Sequence, residues 1–306
     1  MEYRRDEVGF ESGGYTCRAW LYRPSVDGDQ PPERPCIVMA HGMALTRTAG
    51  LDRYARKFVA AGYMVLVFDY RHFGDSDGEP RELLSVRRQL RDWASAIRHV
   101  RSLPGVDPAR IALWGTSFSG GHVITAAARD GKIAAVSAQG PMMDALAGMP
   151  QTMRNAGFAN FLWFGVLGML DQLRAILGMA PVYMPVVAKP GQLAVLCSAD
   201  AEPGYRAITP PHWRNHICAR FALVGALYRP IVHAGKLRCP TLIQVCMQDR
   251  VVSASAAVAT AHRIGNHAEL RKYDCGHFDI YGEQFERAMG EQLAFFERAL
   301  LKARAT

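Results

Sequence analysis

The amino-acid sequence predicts an α/β protein. Its core is a mostly parallel, doubly wound sheet of about eight strands, with helices on both faces and a helical insertion. Three observations predict it. Short apolar runs recur along the 306 residues, and most end in glycine or a polar residue. These runs are apolar throughout rather than alternating, which is the pattern of parallel strands buried on both faces. Segments of helical period lie between them, and such alternation implies right-handed crossovers within one parallel sheet.

The elements follow in order. "DEVGFES" and "YTCRAWLYRP" are strand-like runs joined by Gly13 and Gly14, an antiparallel hairpin at the sheet edge. "CIVMAHG" (36–42) is the first buried strand. Thr48 is a plausible N-cap for the helix that follows, with Leu51, Tyr54, Phe58 and Val59 on one face. "MVLVFDY" (64–70) is the next strand. "VRRQLRDWASAIRHV" then puts Val86, Leu90, Trp93, Ile97 and Val100 on one helical face. "RIALWG" (110–115) is a strand that ends at Trp114, with "GHVITAAA" as its helix, and "IAAVSAQG" (133–140) is the next strand. From about 142 to 236 the alternation stops. That stretch is helical or irregular, rich in Met, Leu, Phe, Trp and Pro, and lies between two sheet strands. The pattern resumes with "TLIQVCMQD" (241–249), the helix "SASAAVATAHRI" and the strand-like run "AELRKYDCG". A last helix from about 283 to 302 carries Phe285, Met289, Leu293, Phe296 and Leu300. The sheet core is therefore expected over 1–141 and 237–306, and the insertion over 142–236.

Composition removes several classes of function. Hydrophobic residues make up 49% and charged residues 21%, the balance of an ordinary globular chain. The net charge is +8, which could suit nucleic acid or an anionic surface. The arginines, however, are scattered among acids, as in "RRQLRDWASAIRHVR", with no basic tail. A solvated basic surface is the better reading, and no nucleic-acid partner is expected. The seven cysteines are odd in number, widely spaced and free of any C-x-x-C, so neither a disulfide framework nor a zinc site is expected. Cys36 and Cys246 sit in apolar runs and read as small buried hydrophobes. The N-terminal "MEYRRDEVGF" has no apolar segment behind its charges, so it is not read as a signal peptide. The longest greasy stretch, "FANFLWFGVLGML" (158–170), is too short to span a bilayer. The expected location is the cytoplasm.

In a parallel sheet, ligand sites form beyond the carboxyl ends of the strands. Those ends carry His41–Gly42, Ser117, Asp249 and Gly276–His277. Together they supply a nucleophile, an acid, a base and a donor turn. A serine hydroxyl needs a base at hydrogen-bond distance and donors for the oxyanion it generates. A sharp strand–serine–helix turn lifts the side chain clear of the sheet and demands small neighbours. Gly115 stands directly after the strand, and Phe118 opens the helix with its N–H toward the serine. The competing reading is a serine that merely caps a helix.

"GTSFSGG" resembles the nucleophile elbow of the α/β-hydrolase superfamily, and the resemblance covers nearly the whole chain. "VMAHG" resembles the family's oxyanion segment, "VFDYRHFGDSDGEP" the loop after its fourth strand, "QDRVV" its acid turn and "GHFDIY" its histidine loop. The order Ser…Asp…His is the family order. The insertion lies where the family carries a cap. The resemblance implies Ser117 as nucleophile, His277 as base and Asp249 as acid. It also implies backbone N–H donors from Met43 and Phe118. Ser119 stands where the family usually has glycine. It could itself be a nucleophile, but it lies too far from the end of "IALW"; its hydroxyl is expected to pack near the elbow or to bond locally. His41 is the rival base and more naturally shapes the oxyanion turn. Asp274 and Asp69 are the rival acids. Asp274 is expected to point away along its strand, and the resemblance makes Asp69 an anchor for "RHFG".

The insertion should cover the site. Phe158, Phe161, Leu162, Trp163, Phe164, Leu167 and Met169 either line an acyl pocket or form the insertion's own core. "PGYRAITPPHWRN" (203–215) reads as a pocket-edge loop. A capped, apolar entrance fits an ester or thioester of apolar character. No metal or cofactor motif is present, and haloalkane or epoxide chemistry on this fold would need an aspartate where Ser117 stands. The expected function is a serine hydrolase acting on a small-molecule ester or thioester through an acyl-enzyme. An acyltransferase or peptidase with the same residues, a non-catalytic ligand-binding protein and a basic nucleic-acid binder are the alternatives. A homodimer is among the assemblies the chain could form.

Overall fold

The computed structural model describes residues 2–25 and 33–301. In chain order the elements are β1 (Tyr3–Ser12), β2 (Tyr15–Pro24), β3 (Arg34–Ala40), α1 (Leu51–Ala60), β4 (Met64–Phe68), α2 (Val86–Arg101), β5 (Val106–Thr116), α3 (Phe118–Asp130) and β6 (Ala135–Gln139). Next come α4 (Ala145–Ala156), α5 (Phe158–Ile176), the two-residue strands β7 (Tyr183–Met184) and β8 (Ile217–Cys218), and α6 (Ala201–Ile208) between those two. The chain closes with β9 (Thr241–Cys246), α7 (Ala254–Ile264), β10 (Ala268–Tyr273) and α8 (Phe285–Phe296).

Eight strands form one sheet in the order β1-β2-β4-β3-β5-β6-β9-β10. β1 and β2 are the antiparallel edge hairpin, turned by Gly13 and Gly14, which both have positive φ. β2 runs antiparallel to β4, and every later pairing is parallel. The continuous apolar strands have the reason the pattern implied. Cys36, Val38 and Ala40 of β3 join the packing layer of α2, α3 and α7, while Ile37 and Met39 join that of α1 and α8. β4 divides the same way, Leu66 and Phe68 against Val65 and Val67. β3 and β4 thus each have two buried faces and no place for a polar alternation.

Two local expectations are corrected. Thr48 does not cap α1: the cap is Gly50, in the left-handed region at φ 77°, and Thr48 instead bonds its hydroxyl to Thr46 at 2.7 Å. A glycine there turns the chain into the helix without a side-chain cap. The last helix ends its α geometry at Phe296 and continues as a π turn over Glu297–Leu301; Lys302 lies outside the described residues.

Between β6 and β9 the chain leaves the sheet. α4 begins at Asp144, whose carboxylate accepts from the N–H groups of Leu146 and Ala147. α5 is tied to the segment after β8 by Asp171, which is fully buried and paired with Arg220 at 2.7 Å. That pair accounts for the acid that closes the greasy run "FANFLWFGVLGML". It holds a charge inside an otherwise apolar layer by giving it a guanidinium and two backbone N–H donors.

Candidate active site

β5 delivers Ser117 into a sharp turn before α3. Ser117 sits at φ 54° and ψ −120°, a backbone conformation that costs on the order of 1–3 kcal/mol for a residue with a Cβ. The surroundings hold it there. Its N–H donates to Gln139 O at 2.9 Å, and its carbonyl accepts from Met142 N at 2.9 Å and Gly120 N at 3.0 Å. Close approach requires a glycine at 115 and favours one at 42. A Cβ on Gly115 would lie 2.3 Å from the Ser119 carbonyl oxygen, and one on Gly42 would lie 3.1 Å from the Ser117 Cβ.

The turn points Ser117 at a histidine. His277 Nε2 lies 3.1 Å from Ser117 Oγ, and its Nδ1 lies 2.6 Å from Asp249 Oδ2. The other Asp249 oxygen accepts the N–H groups of Val251 and Val252, each at 2.8 Å. The His277 and Asp249 side chains are 3% and 2% exposed, so the pair is shut off from water. A carboxylate on Nδ1 favours the tautomer whose Nε2 lone pair faces the serine hydroxyl. Burial alone would lower the His277 pKa, but the charges of Asp249 and Asp200 and the Asp249 hydrogen bond outweigh it and raise the pKa above the ordinary histidine value.

The rival residues are occupied elsewhere. Ser119 is fully buried, and its hydroxyl lies 2.7 Å from Tyr70 OH, which also accepts from Trp93 Nε1 at 2.9 Å. Its partner is therefore the loop after β4, not a local backbone group. His41 Nδ1 bonds Gly42 O at 2.9 Å. Burial lowers the His41 pKa to about 3, so the ring is neutral and makes no ion pair with Asp69, 3.9 Å from its Nε2. Asp274 is exposed and accepts from Gln248 Nε2 at 2.7 Å. Asp69 is buried and takes the N–H groups of Arg47 at 2.6 Å and Asp75 at 3.4 Å, so it joins the loops after β3 and β4. Burial raises its pKa to about 6.

Two backbone N–H groups stand beside Ser117. Phe118 is the first residue of α3, so its N–H has no intrahelical acceptor. Met43 follows Gly42, which packs on Ser117, and its N–H donates to no acceptor among the described residues. The carbonyls of Met43 and Ala44 are held by residues far along the chain. Tyr205 OH donates to Met43 O at 2.9 Å, and Trp213 Nε1 donates to Ala44 O at 2.8 Å. Ala44 itself has φ 53°, in the left-handed region. Sequence reasoning missed this. Tyr205 and Trp213 belong to the stretch expected to edge the pocket, yet none of residues 203–215 lines the cavity over Ser117. Each contributes a single donor amid prolines, and nothing in the spacing says which carbonyl it reaches.

That cavity measures about 290 Å³. Met43, Ser117 and Phe118 line it on one side, and Met149, Phe161 and Phe164 on another. Asp144 also lines it, with its charge paired to Arg229 at 2.9 Å. Of the apolar residues of α5, only Phe161 and Phe164 reach the cavity, along with Gly165. Leu167 is half-buried against the main core. Phe158, Leu162, Trp163 and Met169 are exposed, so they belong neither to an acyl pocket nor to a core of the insertion. The reason is rotation about the helix axis: they lie on the side of α5 opposite Phe164 and Gly168. The seven cysteines carry free thiols, and no cluster of metal-ligating side chains occurs among the described residues.

A family model described as serine aminopeptidase, S33 matches residues 31–284. A curated relative, the quorum-quenching protein AidA of Acinetobacter baumannii, is 41% identical over 295 residues, covering 95% of this chain and 94% of that protein. The thiohydrolase aneE of Aspergillus aculeatus is 34% identical over 132 residues, 43% of this chain and 40% of its own. Among solved structures, the α/β hydrolase GrgF from Penicillium sp. sh18 superposes with a TM-score of 0.82 at 25% identity, over 97% of this chain and 99% of that one. An eight-stranded sheet of this order, a matched family model over most of the chain and a relative aligned nearly end to end agree: the chain is a hydrolase that belongs to the serine aminopeptidase S33 family of the α/β-hydrolase superfamily.

Proposed function

We propose that the protein is a serine hydrolase that cleaves small carboxylic esters or thioesters of apolar character through an acyl-enzyme. The observation that carries this reading is Ser117 Oγ, 3.1 Å from His277 Nε2, at the wall of an apolar cavity. Ser117 Oγ attacks the acyl carbonyl carbon while His277 Nε2 takes its proton. Asp249 stabilises the imidazolium through Nδ1. The N–H groups of Met43 and Phe118 hold the oxyanion, donors of a kind worth about 2.7–4 kcal/mol each. The C–O or C–S bond to the leaving group then breaks, and His277 returns the proton to it. Water, deprotonated by His277, hydrolyses the acyl-serine by the same steps in reverse.

The cavity supports an acyl chain rather than a polar substrate. Its volume of about 290 Å³ and its mostly apolar lining suit the acyl part of a small-molecule substrate. The thiohydrolase relative supports a thioester, and the quorum-quenching relative puts quorum-signal molecules on the assay panel. In this reading residues 142–236 act as a cap on a core formed by 1–141 and 237–306. Seven free thiols fit a reducing compartment such as the cytoplasm.

The test is trapping with a fluorophosphonate and mass spectrometry of the labelled peptide. Label on Ser117, lost in Ser117→Ala together with p-nitrophenyl ester turnover, is the expected result. Label on Ser119, or none on folded protein, would overturn the assignment. Product analysis with an added alcohol or amine separates water from another acceptor.

A further inference from the structure

The outer face of α5 is unusual for a surface helix. At 100° per residue, Phe158, Leu162, Trp163, Met169, Leu173 and Ile176 fall within an arc of about 140° that holds no polar side chain. All six are exposed, Phe158 at 67% and Ile176 at 72%. The opposite arc carries Phe164, Gly168 and Asp171, which are the buried residues of the helix. α5 is therefore apolar on both faces, and only the inner one is covered by the described residues of the chain.

The exposed stripe continues past the helix onto Leu177 and Met179, so eight large apolar side chains, each 47–72% exposed, stand along one surface. Contiguous exposed apolar patches of this kind mark interaction surfaces. The two charged side chains of α5 do not reach across it. Asp171 is locked to Arg220, and Arg174 Nε is bonded to Ala180 O at 2.8 Å. An apolar stripe depleted of charge, with a tryptophan, a phenylalanine and methionines in it, has the composition of a homodimer interface core. A helix that lies in a lipid surface instead carries a Lys- and Arg-rich face, and α5 has a single arginine.

We propose that a second copy of this chain covers this face, with α5 packed against α5 of the partner about a two-fold axis. An isologous contact lets one stripe serve both subunits. The interface braces the helix whose inner side carries Phe161 and Phe164 into the cavity, so dimerisation stiffens the wall of the acyl site without adding a residue to it.

The experiment is sedimentation velocity on the full chain across the low-micromolar range, with wild type beside Leu173→Glu/Ile176→Glu. Both positions are solvent-exposed in one chain and outside the cavity, so circular dichroism and ester turnover at saturating substrate report that the variant is folded. The expected result is a dimer for wild type and a monomer for the double variant, with the dissociation constant raised at least 100-fold. Three outcomes overturn the proposal: a monomeric wild type, a double variant as dimeric as wild type, or a monomer that loses its α5 exposure only on vesicles containing phosphatidylglycerol. The last would assign the face to lipid.

Discussion

Tyr205→Phe removes one oxygen atom, the donor to Met43 O at 2.9 Å. The ring stays packed against Trp213 and Phe278, at centroid distances of 5.4 and 5.9 Å. Tyr205 is buried, so the Met43 carbonyl is left without its donor, a loss of about 1–3 kcal/mol in stability. For a domain of this size that lowers the melting temperature by roughly 2–4 °C per kcal/mol. The catalytic cost has a different origin. In the proposed mechanism the Met43 N–H is an oxyanion donor; the Met43 carbonyl belongs to the next peptide unit along the chain, and the left-handed Ala44 that follows is a conformation needing support. If the peptide rotates, part of the ~2.7–4 kcal/mol of one oxyanion donor is lost. Losing about 1.4 kcal/mol would reduce kcat tenfold, and combining Tyr205→Phe with Trp213→Phe should reduce kcat about 100-fold. KM should change less than twofold, because neither side chain lines the cavity. Steady-state hydrolysis of a p-nitrophenyl ester, beside a thermal melt, reads all three quantities. Unchanged kcat with a lower melting temperature would show that the two donors only stabilise the fold. A raised KM at constant kcat would mean that Tyr205 contacts substrate.

Three further outcomes are expected. Ser119→Ala should retain fluorophosphonate labelling at Ser117 but lower stability by about 1–2 kcal/mol in urea unfolding, since it strips a buried partner from Tyr70. Asp200→Asn should move the acid limb of kcat/KM to lower pH: in the proposed mechanism His277 must be neutral to act as base, its pKa is raised in part by Asp200, and removing that charge lowers it, so the base form persists to more acidic pH. Gly148→Leu should shorten the preferred acyl chain by about three to four carbons while raising stability by up to ~1 kcal/mol, because Gly148 lines the cavity within α4 and a Cβ there meets nothing within 4 Å; an ester series of graded length, assayed by kcat/KM, measures the shift.

The sheet was legible in the chain because a strand buried on both faces leaves a one-dimensional mark: five or more apolar residues in succession with a turn after them. Ser117 and Asp249 were singled out because they stand at the ends of such runs, and His277 because it follows the strand-like "AELRKYDCG" and precedes the last helix. Their mutual distances of 2.6 and 3.1 Å were not legible, since they depend on how β5, β6, β9 and β10 are ordered in the sheet. Local capping was misread at Thr48, where a left-handed glycine overrode the better side-chain cap.

The insertion between β6 and β9 divides the two kinds of information most clearly. Composition indicated only that it is rich in apolar residues and helical or irregular. It did not determine which side of α5 is covered, because both sides of that helix are apolar and periodicity cannot rank them. Nor could it assign single donors such as Tyr205 Oη and Trp213 Nε1 to carbonyls some 160 residues away. Ser119 belongs to the same class: its place in "GTSFSGG" looked like an anomaly of the turn, and its partner proved to be Tyr70 at the end of a different strand. Burial patterns accumulate along the chain, so sequence carries them. A hydrogen bond between distant loops is one contact with no periodicity, and only the assembled tertiary structure decides it.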